Sequence, residues 1–357
     1  MKPISKLTQN NFFAITTGDA NGIGLEVTAK ALLDLQNQNS AVLKQNLFFV
    51  FCSKFSNLNK RCLSSAKFYF GLMNKKFSLI EISSCDFKQI ALVSNASHAR
   101  KLTAIENLLK NLKNTPSRKP LVIIVKNSSS PPQWVVDACE GCLQHFFDGM
   151  ITAPLSKPLI KESGFGEVGH TEILKTVCER KTQNKYSPFM AFSGAYFNVA
   201  IATGHIPISG VAKSLTPEKL DLLYREIKKL NKKCKDSRPI GILGLNPHAG
   251  DGGIIGDEEV RWLNDFCRMK NRSLPLVPDA AFLPHQRNRF SFLICLYHDQ
   301  GLIPFKAIHG THGAHFTLGL PINRTSVDHG TAFDLFGKDS ADSSSMVLAI
   351  KSAITMV

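Results

Sequence analysis

No apolar run in this sequence approaches the ~20 residues that a membrane-spanning helix needs, and its start, MKPISKLTQNNFFAITTGDA, lacks the continuous apolar core of a secretory signal. Both absences predict a soluble, cytoplasmic protein with no membrane partner. Acidic residues are scarce, with 28 Asp and Glu against 43 Lys and Arg, for a net charge of +15. Such an excess raises the question of nucleic acid, but no zinc-finger spacing, basic zipper or RNP-like aromatic motif accompanies it. The excess is also localised: residues 1–130 carry 18 basic and 6 acidic side chains, and the remainder is nearly balanced at 25 and 22. Single lysines and pairs such as Lys60-Arg61 read as a solvated face, and no nucleic-acid partner is expected. Nine cysteines, an odd number in a chain of 357 residues with no secretory signal, argue for reduced thiols. Cys139 and Cys142 form a CxxC in a helix-like stretch, without the second CxxC that a structural zinc site requires. The histidine spacings match no HExxH, and TGDANGIG at 17–24 is neither the P-loop pattern nor the dinucleotide fingerprint GxGxxG.

What is present is an alternation of short apolar runs with amphipathic, helix-length segments, the pattern of an α/β protein with a largely parallel sheet. Strands are predicted at Phe12–Thr17, Leu47–Cys52, Leu121–Lys126, Met150–Thr152, Asn198–Thr203, Ile240–Asn246 and Phe292–Tyr297. The stretch NSSSPPQ at 127–133 reads as a crossover or linker. TPEKLDLLYREIKKLNKKCK, at 216–235, is predicted to be a helix with Thr216 as N-cap and Pro217 at its first position.

Three histidines follow three of these strands: His205 after NVAIATG, His248 after GILGLNP and His298 directly after FLICLY. The carboxyl ends of strands in an open parallel sheet face one edge, where such folds place ligands. Three imidazoles converging there suit zinc or another divalent transition metal and leave a coordination position open for substrate. Asp299 and Asp279 could complete or orient such a site. His170, in GFGEVGHTEIL, is a fourth candidate on a glycine-bounded loop. Lys306 and Arg324 lie in nearly uncharged, glycine-bearing segments, where a buried cation would find its partner in a phosphate or carboxylate. The 326–342 stretch, SVDHGTAFDLFGKDSAD, reads as a polar loop that could cradle a cofactor. In TGDANGIG, at 17–24, glycines allow a tight turn and close approach of backbone amides to an anion. Simple strand-on-helix packing would use the same residues.

Taken together, ITTGDANGIGLE, ITAPLSKPLI, GHTEIL, NVAIATGHIPI, GLNPHAGDGGIIGDEE, YHDQGLIPFK and TLGLPINRTSVDHGTAFDLFGK resemble, in order, the motifs of the 4-hydroxythreonine-4-phosphate dehydrogenase family of vitamin B6 biosynthesis. The resemblance implies an isocitrate/isopropylmalate dehydrogenase-like architecture of two α/β/α domains, largely parallel, with the active site in the interdomain cleft. Residues 1–148 plus about 317–357 would form the cofactor-side domain, and about 149–316 the metal- and substrate-binding domain of a homodimer with a shared active site. It further implies that His205, His248 and His298 bind one divalent metal (Zn, Mg or Co), the last from the partner subunit. His170, Thr171, Lys306, Arg324 and His315 would bind substrate. Gly18, Asp19, Gly22, His329, Gly330 and Asp334 would bind NAD or NADP.

The chain departs from the family pattern at three places. His315 stands where Asn is usual, Ala20-Asn21 where Pro-Ala is usual, and Gly204 where Thr is usual. The implied reaction is NAD(P)-dependent oxidation of 4-phosphooxy-L-threonine at C3, followed by decarboxylation to 3-amino-2-oxopropyl phosphate. Asp299 and Lys306 are the candidates for the group that takes the alcohol proton. Alternatives are a relative acting on threonate or erythronate 4-phosphate and a metal-dependent phosphoesterase, which would also use histidines and phosphate-binding cations.

Overall fold

A parallel strand buried on both faces has to be apolar throughout, and NLFFVFCS is such a run. It forms β2 (Asn46–Ser53), whose residues from Leu47 to Phe51 are fully buried. The structure, a computed structural model, describes residues 9–38, 40–91, 97–112, 119–271 and 273–357. It divides into two compact units, one of 1–186 with 321–355 and the other of 187–320.

In the first unit β2 pairs with β1 (Asn11–Thr16) and β4 (Leu121–Asn127), and β4 with β3 (Ser78–Ser83). On the other side β1 pairs with β5 (Gly149–Thr152), and β5 with β11 (Arg324–Val327). Every pairing is parallel, in the order β3-β4-β2-β1-β5-β11. Helices Gly24–Gln38, Lys60–Lys76, Pro131–Leu143 and Ser344–Thr355 flank it. Phe12, Phe49, Phe87, Phe146 and Phe147 pack as an aromatic cluster between sheet and helices, with centroids 5.0–6.3 Å apart.

The second unit is mixed. Strands β6 (Phe189–Gly194), β7 (Asn198–Ile201), β8 (Ile240–Ile242), β9 (Phe292–Cys295) and β10 (Gly313–Leu318) lie in the order β10-β6-β7-β9-β8. The β7-β9-β8 half is parallel, whereas β6 is antiparallel to both its neighbours. The core gathers Phe192, Phe197, Val199, Leu293 and Phe305. Helix Pro217–Cys234 starts as the sequence predicts, the Thr216 hydroxyl accepting from the Lys219 amide at 3.2 Å.

Several expectations are corrected. The first boundary moves from 148 to 186, because β5 hydrogen-bonds to β1 and the helix after it packs in the same unit. Of the two readings of NSSSPPQ, crossover holds and linker does not: β4 runs into Asn127, and Pro131 opens a helix four residues later. The strands before the three histidines end two to four residues early, at Ile201, Ile242 and Cys295. The 326–342 segment begins inside β11 and becomes loop only after Val327. All nine cysteines are free thiols; Cys139 and Cys142 are buried, and Cys139 Sγ lies 3.8 Å from Cys178 Sγ. No helix among the described residues is long and apolar enough to cross a membrane.

Candidate active site

Each unit carries its own set of groups. In the first, Arg324 opens β11 with its side chain 3% exposed. Its guanidinium donates to Thr152 Oγ1 from Nε at 3.2 Å and from Nη2 at 2.7 Å, across the β5–β11 pairing. Burial pushes its pKa down to about 9, opposed by the carboxylate of Glu172, so it stays a cation at neutral pH. His170 is not on a loop: it is the first residue of the helix His170–Thr182, with Gly169 extended at the N-cap. Its side chain is half-buried, but Nε2 itself is cut off from solvent and has no hydrogen-bond partner. Burial, and then the positive charge of Arg324, push its pKa down to about 3 against the Ala153 backbone, so the ring is neutral. Thr171 is half-buried beside it. A neutral imidazole with an unsatisfied nitrogen near a buried guanidinium suits an anionic ligand with hydroxyl or carboxylate groups.

The turn after β1 is stitched internally. Gly18 has φ +69°, and a Cβ there would stand 2.1 Å from the Pro154 carbonyl, so only glycine fits. Asp19, buried, accepts from the Asn21 amide at 3.1 Å and from Ser156 Oγ at 2.9 Å. Its carboxylate is thus a structural tie, which the sequence alone does not reveal. A Cβ on Gly22 would meet the Thr331 carbonyl at 2.9 Å, and the Ile23 amide donates to that carbonyl at 3.1 Å. The structure therefore lays the 17–24 turn against the HGTAFD loop. His329 Nδ1 lies 2.9 Å from the Gly330 carbonyl, while its Nε2 is buried without a partner. That orphaned nitrogen beside a glycine turn fits a cofactor rich in hydroxyl and phosphate groups. Gly330 and Asp334 are exposed.

In the second unit His205 and His298 face each other with ring centroids 5.2 Å apart. They line a cleft of about 360 Å³ with Gly204, Ile206, Tyr297 and Asp299. His298 is the first residue of the helix His298–His309, and its Nδ1 is 2.7 Å from Asp299 Oδ1. A carboxylate on one ring nitrogen leaves the other for a ligand, the usual way of aiming a metal-binding imidazole, so His298 by its chemistry fits a ligand of a divalent cation. His248 sits exposed on a separate loop after β8. No three His, Cys, Asp or Glu side chains among the described residues stand close enough to hold one ion, so the predicted convergence of three imidazoles is not found within the chain. Lys306 lies just over two helical turns beyond His298, and His315, on β10, packs its ring 4.9 Å from that of Phe192. Asp279 is the second residue of a short helix, Pro278–Ala281.

Buried polar residues that sequence reasoning missed hold these loops. Thr203 Oγ1 donates to the Leu296 carbonyl at 2.7 Å, joining the His205 loop to the end of β9. Gln300 accepts from the Leu296 amide at 2.6 Å and donates to the Gly244 carbonyl at 2.7 Å, joining the ends of β9 and β8. Its placement two residues after His298, with no charge of its own, is the only signal the sequence offers.

Residues 69–353 match the family model described as pyridoxal phosphate biosynthetic protein PdxA. A 4-hydroxythreonine-4-phosphate dehydrogenase from Sulfurihydrogenibium sp. is 32% identical over 354 residues, covering 96% of this chain and 97% of that protein. One from Desulfosudis oleivorans is 37% identical over 229 residues, which are 62% of this chain and 66% of that protein, just under two thirds of its length. Among solved structures, a 4-hydroxythreonine-4-phosphate dehydrogenase from Burkholderia phymatum superposes with TM-score 0.67 at 25% identity, over 97% of this chain and 98% of that one. A branched-chain phosphotransacylase from Enterococcus faecalis, at TM-score 0.53 and 12% identity over 97% of this chain and 99% of that one, shares the fold alone. The extent of these matches, above all the family model over 69–353, shows that the chain belongs to the PdxA family of pyridoxal phosphate biosynthetic proteins.

Proposed function

We propose that this chain oxidises 4-phosphooxy-L-threonine at C3 with NAD or NADP and releases CO2 to give 3-amino-2-oxopropyl phosphate, as a cytoplasmic homodimer. The observation that carries the reading is the buried Arg324 clamped on Thr152 beside a neutral His170. A desolvated guanidinium gains most from a doubly charged phosphate, and that remote binding energy fixes the reacting carbon in place.

His205, His248 and His298 would hold a divalent metal (Zn, Mg or Co), with His298 coming from the partner subunit. Bound there, such a cation lowers the hydroxyl pKa and stabilises the negative charge that builds up on decarboxylation. The 17–24 turn with Gly18, Asp19 and Gly22, and the loop with His329, Gly330 and Asp334, would hold the nicotinamide cofactor, which takes the hydride. Arg324 binds the phosphate, assisted by Lys306 and His315. His170 and Thr171 orient the substrate, His170 offering Nε2 to the carboxylate or the hydroxyl. Asp299 holds His298 Nδ1 at 2.7 Å and so orients that ring; Asp299 and Lys306 are the two candidates for the group that takes the hydroxyl proton.

Substrate carrying 13C in its carboxyl group tests the reading. The expectation is one labelled CO2 for each reduced cofactor formed. Cofactor reduction without labelled CO2 would contradict the decarboxylating reading.

A further inference from the structure

Five consecutive residues after β8 lie in left-handed backbone: His248, Ala249, Gly250, Asp251 and Gly252, with φ of 53°, 55°, 78°, 44° and 69°. Gly253 and Gly256 follow at 98° and 100°. Glycine adopts this region freely, whereas for His, Ala and Asp it is unfavourable and persists only if the surroundings impose it.

Glu259, 1% exposed, supplies that constraint. Its Oε1 accepts from the backbone amides of Leu245 at 2.8 Å and Asn246 at 2.9 Å, and its Oε2 from Asn246 Nδ2 at 2.9 Å. Asn246 Nδ2 also donates to Glu258 Oε2 at 2.8 Å. The glycines of the segment are shaped around this pair. A Cβ on Gly250 would stand 2.8 Å from Glu259 Oε2, one on Gly244 3.2 Å from Oε1, and one on Gly256 2.5 Å from Asn246 Nδ2. A carboxylate taken wholly out of water is tolerated only when its oxygens are satisfied, and here the donors belong to the two residues that lead into the left-handed run. The reaction proposed above gives Glu259 no chemical part.

We propose that Glu259 is a positioning residue: it holds the 244–256 loop in its left-handed form and so presents His248 as a preformed ligand. The consequence for metal binding rests on the reading under Proposed function; the hold on the loop does not.

Two measurements separate these. The first is amide hydrogen exchange on metal-free protein, comparing wild type with Glu259→Gln, which keeps the volume but turns one acceptor oxygen into a donor. Exchange over residues 245–256 is expected to quicken by about tenfold or more, with the β1–β4 amides unchanged. The second is titration with Co2+, read from its visible absorption bands. Glu259→Gln is expected to raise the Kd by about 10- to 100-fold, as changes to groups supporting metal ligands do, and to alter the spectrum. Gly250→Ala, which crowds the same carboxylate, is expected to reproduce both effects and serves if Glu259→Gln fails the circular-dichroism check for folding. Wild-type exchange over 245–256 in a folded variant would overturn the proposal. Quickened exchange with wild-type Co2+ affinity and spectrum would overturn the preformed-ligand part. A wild type that binds no Co2+ would refute the metal reading, while exchange still decides the loop.

Discussion

Arg324 and Thr152 are joined across adjacent parallel strands by two hydrogen bonds from one guanidinium to one hydroxyl, 3.2 and 2.7 Å long. The hydroxyl is neutral, so the bonds aim the guanidinium without cancelling its charge. Arg324→Ala is expected to raise the KM for the phosphorylated substrate about a hundredfold, the worth of a charged hydrogen-bonding group, while the KM for NAD changes by no more than about threefold. Thr152→Val, which removes the aim and keeps the charge, should give a smaller change of the same kind. Equal effects of Arg324→Ala on both KM values would contradict a phosphate contact.

His205 and His298 lie ring to ring, and His298 is oriented by Asp299. Replacing either histidine by Ala is expected to lower kcat by about a thousandfold or more, since a metal supplies several kcal/mol of charge stabilisation. Far-UV circular dichroism should stay unchanged. Dialysis against a chelator should abolish turnover of the wild type, and add-back of Zn, Mg and Co in turn identifies the ion that restores it. Full activity after chelation would remove the metal from the account.

Gln300 joins the ends of two strands through backbone groups that water cannot reach. Gln300→Ala leaves the Leu296 amide and the Gly244 carbonyl without these partners, at a cost of about 2 to 4 kcal/mol in unfolding free energy. Urea titration measures it, and a change under about 0.5 kcal/mol would show that the bridge contributes nothing.

His170 gives the protein an acid sensitivity with a definite sign. Its pKa is about 3 when folded and near the ordinary 6.5 when unfolded, so between those values the unfolded chain binds a proton that the folded chain does not. Stability therefore falls as pH drops below about 6.5, by at most about 1.4 kcal/mol per pH unit from this group, and is indifferent to it above. His170→Gln should lose less Tm than wild type between pH 7 and pH 5. A parallel loss in the two proteins would mean that His170 titrates normally.

The sequence and the structure agree best where chemistry and strand end coincide. His205 and His298 are legible as a pair because each follows an apolar run closely, and parallel neighbours bring such positions together. The antiparallel strands β6 and β10 have no counterpart in the pattern reading, because FMAFSG and GAHFTL are short and their pairing with each other joins segments more than 110 residues apart. The boundary at 148 fails because β5 is only four residues long and its membership depends on pairing with β1, more than 130 residues earlier. Asp19, Gln300 and Glu259 resist sequence analysis for one shared reason: each acts on backbone groups of residues whose nearness exists only after folding. His170 was legible as a residue but not as a helix start, since Gly169 is an N-cap that makes no side-chain bond.

The most direct test of the whole account is a substrate panel read at 340 nm with purified protein, added divalent metal, and NAD or NADP. The panel holds 4-phosphooxy-L-threonine, threonate 4-phosphate and erythronate 4-phosphate, with inorganic phosphate assayed in parallel. The account predicts cofactor reduction with 4-phosphooxy-L-threonine at a kcat/KM well above that for either sugar-acid phosphate, and no phosphate release. Phosphate release without reduced cofactor, or preference for a sugar-acid phosphate, would contradict it.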